Sequence, residues 1–165
     1  MTPDEEMTSK TMDAFKKRDI NAFRDIYHEA TEDAAISQDP VLIKIAVIGY
    51  CFNKLFSKVH YREKIERLAE DCQQKLANGN LDGILKEIEE FDRKHSFFEG
   101  NLVEKARVKI ASRLYSTGLS ISQSAELLNV RLSELLDYVG VTRVHNEVQT
   151  KSVMERLKTA REIFK

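Results

Sequence analysis

The chain has 165 residues, 42% hydrophobic and 32% charged, with a formal net charge of −1, a balance that fits a globular protein with one good core and excludes a wholly disordered chain. Only two prolines and six glycines interrupt it, and no alternating segment bounded by hairpin turns occurs, so the expected fold is all-α. Cys51 and Cys72 stand apart from each other and from any histidine cluster, so neither a disulfide framework nor a metal site is expected. The opening MTPDEEMTSK is acidic and polar where a secretion signal is basic then apolar, and a cytoplasmic protein with reduced thiols is the expectation.

In chain order, the pattern predicts about nine helices. Thr8–Arg18 and Asn21–Ile36 form an N-terminal pair. Val41–Phe56 is the most apolar run; it is too short to span a membrane, carries Lys44 and Lys54, and opens with Asp39 as N-cap and Pro40 in the first turn. Its nearly all-round apolarity predicts a buried helix with neighbours on most sides. In Arg62–Ala77, Ile65, Leu68, Ala69, Cys72 and Leu76 recur at helical spacing and give one buried stripe beneath a charged face. Leu81–Lys94 completes a first lobe, residues 1–96, expected to dimerise or sense a partner. His95–Asn101, containing Phe97 and Phe98, breaks the pattern and reads as the joint to a second lobe, residues 97–165.

That second lobe opens with Val103–Thr117 and contains the most informative stretch, ISQSAELLNVRLSELLDYVG, residues 121–140. A short helix, Ser122–Leu128, places the small residue Ala125 where it would cross a second helix, Leu132–Val139. Ala125, Leu128, Val130, Leu135 and Tyr138 then converge on one small core. Asn129 suits a left-handed turn, Ser120 and Gln123 can form a capping box, and Gly140 offers a left-handed stop. A connector over Val141–Gln149 leads to a final helix begun by Ser152 with Glu155, whose stripe is Val153, Leu157, Ala160 and Phe164.

The pattern of residues 121–140 resembles the helix-turn-helix superfamily of DNA-binding proteins over about twenty residues, or nearer forty with Val103–Thr117. The order of an apolar helix, KVHYRE, this motif and SVMERLKTAREIF looks like uncharacterised archaeal helix-turn-helix proteins, which implies a regulatory or accessory role and names no ligand. The resemblance implies that Arg131, Leu132, Ser133, Leu136 and Asp137 face a DNA groove, with Ser122 and Gln123 beside the phosphates.

Arg131 can bond a guanine edge or a phosphate, and Ser133 either a base or a backbone oxygen. Leu132 and Leu136, four apart on one face, suit thymine methyls less well than another protein, and Glu134 and Asp137 repel phosphate. From Val103 onward eleven Lys and Arg face seven Asp and Glu, whereas the preceding part holds fifteen against twenty. Lys105, Arg107, Lys109 and Arg113 before the motif, and Lys151, Arg156, Lys158 and Arg161 after it, are candidate phosphate contacts.

No enzyme is indicated. His60, in KVHYRE, is the one histidine crowded by Tyr, Arg and Glu, but Arg62 follows it by two and falls on another helical face, so a capping or interhelical role is expected. His28, His95 and His145 are solitary, and neither a phosphate loop nor a nucleophile elbow occurs. Two function classes follow: a DNA-binding regulator acting as a homodimer, and an interaction module that presents Leu132 and Leu136 to a protein partner. No cofactor and no membrane enter either.

Overall fold

The computed structural model describes residues 1–96, 100–140 and 161, and among these it contains helices and no strand. Pro3–Lys17 forms α1, Ile20–Ser37 α2, Pro40–Phe56 α3, Arg62–Ala77 α4, Leu81–His95 α5, Leu102–Ser116 α6 and Ile121–Leu128 α7. Residues 132–140 are helical and are termed α8. The all-α expectation is met. The final helix, the connector, Phe97 and Phe98 lie outside the described residues.

Local chemistry sets the boundaries. α1 starts five residues before the apolar pattern predicts, because Pro3 supplies a preset φ at its first position and the Glu5 carboxylate accepts the Thr2 backbone N–H at 3.1 Å. Acidic residues Asp4, Glu5 and Glu6 in its first turn and Lys16 and Lys17 in its last oppose the helix dipole. Arg18 then takes a left-handed conformation, and Asp19 caps α2 by accepting from the N–H groups of Asn21 and Ala22. Asp39 does the same for α3, accepting from Val41 at 2.8 Å. A single 3-10 turn, Val59–Tyr61, precedes α4.

α3 is the axis of the molecule. It packs against α1, α2, α4, α5, α6 and α7, and eleven of its residues from Leu42 to Phe56 are buried. Its closest neighbour is α2: a Cβ at Gly49 would lie 3.1 Å from the Phe23 carbonyl oxygen and 3.2 Å from the Tyr27 nitrogen, so a glycine is what allows these backbones to approach. Phe15, Phe23 and Phe52 meet beside this contact with ring centroids 4.7–5.4 Å apart. Each fully buried ring or aliphatic side chain of this kind contributes roughly 1.5–3 kcal/mol. The predicted α4 stripe of Ile65, Leu68, Ala69, Cys72 and Leu76 is buried throughout. No single helix among the described residues is long and apolar enough to cross a membrane.

α6 packs on α2, α3 and α5, so buried side chains run without interruption from Met7 to Leu135 across the expected lobe joint. Its start is held from a distance. Asn101, at the N-cap position, makes no capping bond; instead the buried Asp92 of α5 accepts the Leu102 N–H at 2.8 Å. This carboxylate fixes the end of α5 to the beginning of α6 and so positions α7 and α8, which α6 carries.

Candidate nucleic-acid interface and the adjoining cleft

The cap, the turn and the burial pattern of residues 120–140 follow from their residue types, with two exceptions. Ser120 caps α7 by accepting the Gln123 N–H at 3.1 Å. Asn129 is left-handed, φ 53° and ψ 44°, and the Val130 N–H closes the turn on the Ala125 carbonyl at 3.0 Å. Ala125, Leu128, Val130 and Leu135 are buried, and Tyr138 is partly buried against them. The first exception is Gln123. Its side chain does not return to Ser120 but donates to Gln38 Oε1 of the α2 C-cap, so only half of the expected capping box forms. The second is Gly140, which is helical and has no positive φ; glycine permits a left-handed stop without imposing one.

All but one of the expected groove-facing residues are exposed. Ser122, Arg131, Leu132, Ser133, Leu136 and Asp137 are exposed, Leu132 at 44% and Leu136 at 50%, whereas Gln123 is half-buried. Arg131 lies 4.0 Å from Glu134 across a solvated i,i+3 pair, which holds it only weakly. Over residues 103–140 the charge balance is five Lys and Arg against four Asp and Glu, so most of the basic excess read from the sequence falls beyond Gly140. Lys151, Arg156 and Lys158 lie outside the described residues, and Arg161 is exposed.

The four basic residues of α6 are not alike. Lys105 is exposed and Arg107 half-buried. Lys109 and Arg113 turn toward tyrosines of the bundle: the Lys109 ammonium sits 5.6 Å from the Tyr50 ring centre, and the Arg113 guanidinium 6.0 Å from that of Tyr27. Lys54 approaches the Tyr50 ring at 5.5 Å. Tyr27 and Tyr50 meet edge to face at 5.5 Å. Burial, then Lys54 and Arg113, holds the Lys109 ammonium below its usual value, and burial pushes the Tyr50 hydroxyl up to about 12.

Tyr27, Lys109 and Arg113, with Ser112, Tyr115 and Tyr138, wall a cleft of about 700 Å³ between α2, α6 and α8. A second chamber of about 550 Å³ adjoins it and shares Lys109 and Tyr138. The sequence reading missed it, because Tyr27 and Tyr50 come from helices far away in the chain. Its one local signal is the run Lys109, Ser112, Arg113 and Ser116, which occupies a single face of α6.

Among the described residues no group of three or more His, Cys, Asp or Glu side chains could hold a metal ion. Both cysteines are buried, and burial pushes their thiols up and away from the reactive thiolate. His60 is exposed in the 3-10 turn, and the N-cap of α4, Tyr61, has no side-chain capping bond, so the expected capping or interhelical role is not found. Its sequence neighbours Arg62 and Glu63 pair along α4 with Glu66 and Arg67, in keeping with a proximity that is sequential only.

Fold and surface together define a class only in coarse terms, an all-α helical bundle among the described residues. Comparisons with family models, with curated proteins and with solved structures give no match to the chain.

Proposed function

We propose that this is a non-enzymatic nucleic-acid-binding protein in which α7 and α8 act as a helix-turn-helix on duplex DNA. One observation carries the proposal: beside the left-handed turn at Asn129 and the core around Ala125, Arg131 just before α8, Ser133 within it and Ser122 at the start of α7 are all exposed. Lys105 and the basic residues beyond Gly140 supply phosphate contacts. Gln123 is spent on Gln38, so its part is smaller than the sequence suggests. A single pair of this kind covers few base pairs, which favours a two-fold dimer with its α8 helices one DNA turn apart.

Anisotropy titrations of a labelled duplex test this. With about three phosphate contacts, affinity falls roughly 40-fold between about 50 and 200 mM salt, and Arg131→Ala weakens it further. No binding at low salt, followed by an empty unbiased sequence selection, rejects the proposal.

A second reading has its own observation. Leu132 and Leu136 form an exposed apolar pair beside two carboxylates, Glu134 and Asp137, and such a surface suits a protein partner or a second copy better than a phosphate backbone. Affinity for that partner would change little with salt.

A further inference from the structure

The cleft beside α8 has the composition of a ligand site. Lys109 makes no ion pair among the described residues, and Arg113 pairs at 3.7 Å with Glu32, which does not line the cleft. Among the described residues no Asp or Glu lines the larger chamber. Tyr27, Ser112 and Tyr115 present hydroxyls there that bond to no other described group. Tyr27 is buried and lines the cleft.

We infer that this cleft binds a ring-bearing phosphate monoester of nucleotide size, the phosphoryl group between Lys109 and Arg113 and the ring against Tyr27 and Tyr138. Lys109 and Arg113 stand half-buried on adjacent turns of α6, and the solvated pair of Arg113 with Glu32 only partly offsets their mutual repulsion, which an anion between them removes. A carboxylate brings one charge and two oxygens, whereas a phosphate monoester brings close to two charges and three acceptor oxygens for the ammonium, the guanidinium and the hydroxyls. Size points the same way: the cleft falls within the range of about 300–1,000 Å³ that encloses a small organic ligand and exceeds what an inorganic ion fills. In the adjoining chamber Tyr50 and Val108 offer apolar surface, and Glu134 and Asp137 at its edge can accept from sugar hydroxyls or ring amines.

The inference does not rest on the proposed DNA contact: Ser122, Arg131 and Ser133 line neither chamber, and the two surfaces meet only at Lys105, Glu134 and Asp137 of the adjoining one. Calorimetric titration of the intact chain with a set of nucleoside monophosphates, with the parent nucleosides and with inorganic phosphate tests it. At least one monophosphate binds with a dissociation constant below about 1 mM, and its nucleoside and inorganic phosphate bind at least about tenfold more weakly. Lys109→Met and Arg113→Gln each reduce binding about tenfold or more, with the helical circular-dichroism signal retained, and Arg131→Ala leaves it unchanged. Three outcomes overturn the inference: no monophosphate binding at millimolar concentration, a nucleoside binding as well as its phosphate, or inorganic phosphate binding as well as the nucleotide. Monophosphate binding that survives both cleft variants places the ligand elsewhere and also overturns it.

Discussion

Gln123 and Gln38, 85 residues apart in sequence, share a side-chain hydrogen bond of 3.0 Å that ties the first turn of α7 to the left-handed C-cap of α2. The start of the candidate DNA-binding pair is thus anchored to the bundle. A double-mutant cycle of Gln38→Ala and Gln123→Ala gives a coupling of about 0.5–1.5 kcal/mol in chemical denaturation. Additive single effects would mean that the two amides do not meet in solution.

The turn between α7 and α8 rests on Asn129, whose side chain is tolerated at φ 53° where most others are strained. Asn129→Val costs about 1–2 kcal/mol, and Asn129→Gly changes stability little. If valine is accepted without loss in thermal melts, the turn has another conformation.

Ala125 is 4% exposed at the centre of the pair. Ala125→Leu overpacks it and destabilises by about 1–3 kcal/mol. A parent-like melting curve would remove Ala125 from the contact.

Asp92 is a carboxylate at 1% exposure that serves the backbone of a different helix. Asp92→Ala leaves the Leu102 N–H without that acceptor and costs about 1–2 kcal/mol. Hydrogen exchange should show the loss first in the opening turn of α6. Uniform destabilisation with α6 protected as before would argue against the cap.

His28 gives a pH signature. Burial, and then the nearby Arg113, holds its imidazole below the ordinary 6.5, and its Nδ1 is shielded without a partner. The unfolded chain therefore takes up a proton that the folded chain resists, so this histidine's contribution is complete above pH 6.5 and is lost as pH falls below it. The difference in melting temperature between the parent and His28→Gln narrows between about pH 7.5 and 5. A difference independent of pH would contradict this.

Helix positions were legible because burial and capping leave local marks. The α4 stripe, the Asp39–Pro40 start of α3 and the Asn129 turn each follow from a few adjacent residues. α1 begins earlier than its pattern shows because its first turn is polar, leaving only Pro3 and Glu5 as signals. Gln123 has a partner in α2 that no local pattern names, and the joining of Tyr27, Tyr50 and Tyr138 with Lys109 depends on how three distant helices pack. The outer face of α8 was readable residue by residue; the cleft on its other side was not.

The central claim is that duplex DNA meets α7 and the outer face of α8. Amide chemical-shift mapping of the isotope-labelled chain, titrated with the best duplex from an unbiased selection at low salt, tests it most directly. The predicted result is a set of shifts concentrated at Ser122, Arg131, Ser133 and Asp137 that fades as salt is raised. Shifts confined to other helices, or none with any duplex while a protein partner perturbs Leu132 and Leu136, would contradict it.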